Sequence, residues 1–348
     1  MTLAQTAAIT KKLIAIFVIT LVLSIIGFIS YNVWHAYYIA NLPPIEEKPD
    51  VKWGKLPLPD FPNSLVNSSN FSYALDTSTG NLPELGVDAG FDKFMKVYFI
   101  TKSSASLLSA ERSQNLASKF SINSPPQVLS DTKYLYAENN RKITVDLDTG
   151  NFLYTSEATI SAKPTPDDDN KLVVDFETTL NNLGIKGEEL KKGRTKIILL
   201  KSNGINFIPT TLRTETQAIQ VSIWPENIDG KSIFTPEFNK ALINALVSNN
   251  TTELDSYISM QYINYPIDLT TFSTYPIKQP TQAYDDLKSG KGVIILEPSK
   301  PQVSITSVYL GYFLSENYSA YLQPIYVFEG QNFAAYVPAI TSEYLTQN

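Results

Sequence analysis

Leu13–Trp34, LIAIFVITLVLSIIGFISYNVW, decides how the rest of this chain is organised. The stretch carries no charged residue. A helix over it spans roughly 33 Å, about the hydrocarbon thickness of a bilayer. Tyr31, Trp34, Tyr37 and Tyr38 gather at its C-terminal end, where an aromatic belt sits among headgroups. Lys11 and Lys12 precede it, and the next formal charges are Glu46, Glu47 and Lys48. Basic residues stay cytoplasmic, so the pattern predicts a cytoplasmic N-terminus (1–12), a transmembrane anchor (13–38) and an extracytoplasmic remainder. A cleaved signal peptide would have a shorter apolar region of about 7–15 residues, followed by an A-x-A-like site. Here Ala36 is followed by bulky Tyr37 and Tyr38.

Composition narrows the outer part. The chain has 348 residues and a formal net charge of −6. It lacks a basic run, which excludes a nucleic-acid footprint. It has no cysteine, and its single histidine, His35, falls at the membrane edge. Ser–His–Asp and Cys–His catalysis and His- or Cys-ligated zinc are therefore excluded outside. The expectation is a protein without catalytic residues, metal or cofactor.

Residues 39–62 hold Pro43, Pro44, Pro49, Pro57, Pro59 and Pro62 and read as a proline-rich, semi-rigid stalk. Trp53 within it could pack back onto the first domain. Residues 63–162 read as a first α+β domain. It has a short strand near Phe71–Leu75, a strand in Phe91–Lys102 and a helix capped by Ser109 and ending near Phe120. Strands around Tyr134–Tyr136 and Ile143–Leu147 follow, and the turn Asp148–Asn151 leads into Phe152–Tyr154. Lys163–Asn170, KPTPDDDN, reads as the boundary to a second α+β domain, 163–348. A helix follows with Leu172, Val173, Phe176, Leu180 and Leu183 on one face and Gly184 as its stop.

Thr195–Lys201 and Ala218–Trp224 read as strands, with Ile228–Gly230 a turn. Residues 235–248 fit either a helix or one arm of a hairpin around Asn249–Thr252. Thr281 is the expected cap of a short helix closed by Gly290, and Ile305–Phe313, Gln323–Glu329 and Asn332–Pro338 are three closing strands. Helix then antiparallel strands occurs twice, so the fold class predicted is α+β: a transmembrane helix followed by two units of antiparallel sheet, one helix packed on each.

Ser109–Tyr154 resembles the PepSY domain family, whose second strand typically ends in Val-Asp-x-x-Thr-Gly, here Val145, Asp146, Thr149 and Gly150. YPIKQPTQAYDDLKSG, ITSVYLGYF and YLQPIYVFEGQNFAAYVPAI in the C-terminal part are similar to YycH and YycI, extracellular regulators of an envelope histidine kinase. The resemblance implies a single membrane helix with PepSY-like domains outside. It also implies a non-catalytic scaffold whose partner is another membrane or envelope protein, a sensor histidine kinase in that family. The other reading is an envelope binding module for a cell-wall or peptide ligand, or a peptidase inhibitor.

Asp148-Thr149-Gly150 matches the aspartic-protease loop, with Asp76-Thr77-Ser78 as an imperfect partner, but a dyad needs two carboxylates about 3 Å apart. A hairpin turn using Asp148 and Gly150 for their backbone preferences is the simpler reading. Asp146, Asp148 and Glu157 fall at calcium-loop spacing without flanking helices. Asp167–Asp169 suit a helix start. In the membrane helix Thr20, Ser24, Gly27 and Tyr31 line one face, a candidate helix–helix contact.

Overall fold

The computed structural model describes residues 3–40, 48–64, 66–157, 168–185, 192–248 and 254–346. It divides into two units, Met1–Lys48 and Pro49–Asn348. The first holds one helix, α1 (Leu3–Ala40). Its segment Lys11–Tyr38 is long and apolar enough to cross a membrane.

The second unit is α+β and contains two sheets. Sheet I has eight strands: β1 (Ser72–Leu75), β2 (Phe94–Ile100), β10 (Ile233–Phe234), β13 (Ile267–Pro276), β14 (Val293–Leu296), β15 (Gln302–Phe313), β16 (Tyr321–Gly330) and β17 (Phe333–Pro338). It is antiparallel except where β1 and β10 run parallel to β15. Sheet II is antiparallel throughout and has nine strands. These are β3 (Gln127–Ser130), β4 (Lys133–Glu138), β5 (Arg141–Asp146), β6 (Phe152–Ser156), β7 (Thr195–Ser202), β8 (Phe207–Pro209), β9 (Ala218–Ile223), β11 (Ile243–Val247) and β12 (Tyr257–Tyr262). Their order is β3-β4-β5-β6-β12-β11-β9-β7-β8.

Helices α2 (Ser109–Lys119) and α3 (Asp169–Asn182) pack on sheet II. Leu172, Phe176 and Leu180 recur at four-residue spacing, as does Leu116 with Phe120, so each helix turns an apolar stripe to the strands. Phe120 and Phe176 are fully buried against Ile143, Tyr154, Val221 and Met260. Each such side chain contributes about 1.5–3 kcal/mol by leaving water. Gly184, at φ +88, ends the α3 region as expected. Helix α4 (Pro280–Lys288) buries Ala283 and Leu287 in the core of sheet I.

Four details differ from the sequence reading. First, the sheets do not follow the boundary at 162/163. Strand β6 pairs with β12 through Phe152↔Tyr262 and Tyr154↔Met260, so residues on both sides of it share one sheet. The chain leaves sheet I after β2, builds most of sheet II, touches sheet I as β10, returns for β11 and β12, and then completes sheet I. The boundary residues Lys163–Asp167 themselves lie outside the described residues.

Second, residues 49–62 of the proline-rich stalk form a strap built into the second unit. Leu56 is wholly buried and bridges Leu345, donating its amide to the Tyr344 carbonyl and accepting from the Thr346 amide, both at 2.8 Å. Trp53 packs at a tilt on Tyr321 of β16, in the second predicted domain and not the first, and Phe61 packs edge-on to Phe313. Prolines remove backbone donors, but they do not prevent side chains from docking. Residues 41–47 of the stalk lie outside the described residues.

Third, within the open 235–248 segment residues 243–247 form a strand and 235–242 are turns and isolated bridges, with no helix; the turn assigned to Asn249–Thr252 lies outside the described residues. Fourth, two caps shift. Helix α2 is preceded by Leu108, and Ser109 instead accepts from the Ser106 amide at 2.9 Å. Helix α4 starts at Pro280, not after Thr281, because Pro lacks the donor a first turn leaves unused, and Gln279 bonds back to Gln282 at 3.0 Å.

Candidate functional site

The β5–β6 hairpin turn stands between two clefts. Asp146 organises it: its Oδ1 accepts from the Asp148 and Thr149 amides at 3.1 and 2.9 Å and from the Thr149 hydroxyl at 2.9 Å. The Gly150 amide closes the turn on the Asp146 carbonyl at 2.8 Å, and Gly150 takes φ +76, a conformation that favours glycine. Asp148 does more than turn the chain. Its Oδ1 accepts the Ala105 amide at 2.8 Å, pinning the crossover from β2 to α2.

On one side of that crossover is a cleft of about 390 Å³. Its floor is Leu153 and Gln261 from sheet II, and one wall is Glu316–Tyr318 from the β15–β16 connection of sheet I. Lys102 and Lys133 stand at its margin. Gln261 donates to Glu316 Oε1 at 3.0 Å, and Tyr265 donates to the Glu316 carbonyl at 2.8 Å, so the wall is fixed to sheet II. Burial, opposed by a hydrogen bond from Asn151, pushes the Tyr265 hydroxyl up and keeps it a donor. On the other side a cleft of about 450 Å³ lies under α2, lined by Ser106, Arg112, Lys119 and the same turn.

The wall is tied to the strap as well. Asp60 Oδ2 accepts from Ser315 Oγ at 2.9 Å and from Asn317 Nδ2 at 3.2 Å. The chain segment that follows the anchor thus touches the loop forming one side of the first cleft.

The other predicted residues fall elsewhere. Asp76 lies beside β1, where Ser304 Oγ donates to its Oδ2 at 3.3 Å, whereas Asp148 accepts from the Ala105 amide, so the two have different partners. Of the acidic run, Asp168 precedes α3 and Asp169 accepts from Arg213 at 2.7 Å, while Asp167 lies outside the described residues. In α1 the hydroxyls of Thr20 and Ser24 each donate to a carbonyl of their own helix, Ile16 and Thr20, at 2.9 Å. Gly27 would meet nothing within 4 Å if it bore a Cβ, and Tyr31 stacks on His35. Among the described residues, no group of three or more His, Cys, Asp or Glu converges. Lys102, Lys133, Gln261 and Glu316 were not singled out by sequence; they come from four distant segments, and no linear pattern joins them.

No family model matches the chain, and no curated protein does. Two solved structures are similar to it. One is an uncharacterized protein from Eubacterium rectale ATCC 33656, at 14% identity, covering 76% of this chain and 87% of that one with a TM-score of 0.33. The other is the Bacillus megaterium YpeB C-terminal domain, at 11% identity, covering 69% of this chain and 95% of that one with a TM-score of 0.27. The YpeB C-terminal domain is thus a distant structural neighbour.

Proposed function

We propose that this chain is a non-catalytic, single-pass membrane protein whose N-terminus is cytoplasmic and whose α+β unit works outside the cell as a regulatory scaffold. Its partner is another membrane or envelope protein, and the sequence resemblance makes a sensor histidine kinase the first partner to test. The observation that carries the reading is α1, with Lys11 and Lys12 on one side of an uncharged span and a large folded unit on the other. The carboxylates nearest the first cleft support a binding role over a catalytic one: Asp146 and Asp148 are both engaged with backbone amides of the turn and the crossover.

Topology and partner are tested separately. The chain has no cysteine, so Ser202→Cys at the exposed end of β7 introduces a single thiol. Labelling by an impermeant maleimide on intact cells is expected; labelling only after lysis overturns the orientation. Affinity purification of the full chain from solubilised membranes is expected to recover a membrane kinase. Recovery of the chain alone, after crosslinking in intact cells, overturns the scaffold.

A further inference from the structure

Sheet II ends on an incomplete strand pair. β7 is eight residues long, and β9 covers its inner side from Thr195 to Leu200. On the outer side β8 reaches only Leu200–Ser202, and the Thr210 amide then donates to the Leu199 carbonyl at 2.9 Å. Successive residues of an antiparallel strand aim their backbone groups at alternate neighbours. The Arg194 and Leu200 carbonyls accept from Trp224 and Gln217, at the two ends of β9, both at 2.8 Å, so even-numbered residues bond inward. Thr195 and Ile197 therefore turn N–H and C=O outward, where neither has a backbone partner among the described residues.

Those groups border a groove. A cleft of about 670 Å³ runs beside the edge, lined by Ile197 and Leu199, by Thr210 and Leu212 beyond β8, and by Asp169 at the start of α3. Ile197 and Leu199 lie opposite Val221 and Ile219 and pack with them under the helices, while Leu212 is 54% exposed. A lysine often guards an open edge, but Lys196 donates to Asn239 at 2.6 Å and does not line the groove. The charges beside the groove are matched within the chain: Lys201 pairs with Glu215 and Arg213 with Asp169, both at 2.7 Å. Its complement is therefore an uncharged segment, apolar at alternate positions, with backbone groups of its own to pair. The open stretch, residues 195–198, is about 13 Å long at the strand rise, and it continues the line of β8, which runs antiparallel to β7.

We propose that an extended, uncharged segment of a partner protein adds to sheet II as a strand antiparallel to β7. It pairs with the backbone of Thr195 and Ile197 and lays aliphatic side chains on Ile197 and Leu212. The inference rests on the reading that the outer unit binds a protein, and supplies the place and chemistry of the contact.

The test titrates the full chain in phosphatidylcholine nanodiscs with acetyl-Ser-Val-Thr-Val-Ser-amide, followed by saturation-transfer NMR on the peptide. Its two valines stand opposite Thr195 and Ile197, so their N–H groups face β7 and that of the threonine faces away. N-methylation of both valines is expected to weaken binding by roughly tenfold or more, the worth of two backbone hydrogen bonds, and N-methylation of the threonine to leave it unchanged. Ile197→Pro removes the outward donor, and Leu212→Glu puts a charge in the groove without touching β7; each should weaken the parent peptide. Any other ranking of the peptides, no binding, or binding that survives both variants overturns the inference. Residue-resolved amide exchange of the free chain identifies other occupants. Thr195 and Ile197 should exchange faster than Lys196 and Ile198. Protection of all four at every concentration means that the chain covers its own edge, and protection that grows with concentration means a second copy; either result overturns the inference. Any of these with kinase recovery intact leaves the scaffold reading standing. Loss of recovery from the unaltered chain refutes that reading whatever the peptides do.

Discussion

The guanidinium carbon of Arg194 lies 4.2 Å from the centre of the Trp224 ring. It also lies 5.5 Å from the ring of Phe234, so one cation stacks on a residue following β9 of sheet II and on one in β10 of sheet I. Arg194→Ala should lower stability by about 1 kcal/mol, the scale of a partly desolvated cation–π pair. Arg194→Lys should recover only part of it, because ammonium lacks the planar face that stacks. Chemical denaturation followed by tryptophan fluorescence checks this; an unchanged midpoint in Arg194→Ala would remove the contact from the account of how the sheets hold together.

Asp50 predicts a pH dependence for the strap. Burial tends to raise its carboxyl, but hydrogen bonds from Ser273, Lys52 and the Thr274 amide outweigh that and lower it from 3.8 to about 2. A depressed carboxylate stabilises the folded state above its unfolded value, and the contribution is lost as pH falls through the folded value. The gap in melting temperature between the parent chain and Asp50→Asn should thus be constant near neutral pH and close between about pH 4 and pH 2. A gap that persists to the lower limit contradicts the pairing.

At Gly150 the expected cost is backbone strain alone. A Cβ there would meet nothing within 4 Å, yet φ is +76. Gly150→Val should destabilise by about 1–3 kcal/mol, and Gly150→Asn by less, since Asn tolerates the left-handed region better. Thermal unfolding of the two variants gives the order; equal melts for Val and Asn would argue that crowding, not φ, sets the cost.

In α1 the back-bonded hydroxyls of Thr20 and Ser24 shift the weight of the contact face to its smallness. A Cβ at Gly27 meets nothing within 4 Å, so the small face is open there and Gly27→Leu fills it. It should weaken co-purification with a membrane partner by about 1 kcal/mol while leaving the outer unit's melt unchanged. Full recovery of the partner by Thr20→Leu/Ser24→Leu/Gly27→Leu would move specificity away from the helix.

Much of this fold is legible because it is local. The stripe Leu172, Phe176, Leu180 with Gly184 behind it, the alternation in β5 and β6 around Gly150, and the three closing strands all follow from spacing alone. Residues 243–247 were ambiguous for a physical reason. β11 lies between β9 and β12, four of its five residues are buried, and a strand covered on both faces shows no alternation. The interleaving of the sheets was invisible because Tyr154 and Met260 are adjacent only after a hundred residues have folded between them. Of the site, the turn residues Asp148 and Gly150 were readable, whereas Lys102, Lys133, Gln261 and Glu316 come together in the first cleft only once the fold has joined their separate segments.

The strap has a mechanical consequence. A pull on the chain at Lys48 meets the attachments of the strap in sequence order. Asp50 would leave Ser273 and Thr274 first, Leu56 would then tear from Leu345, and only afterwards would Asp60 release the loop at Ser315 and Asn317. Tension therefore reaches the wall of the cleft last. The C-terminal residues around Leu345, which hold Leu56 by two backbone hydrogen bonds, stand in that order between the anchor side and the wall.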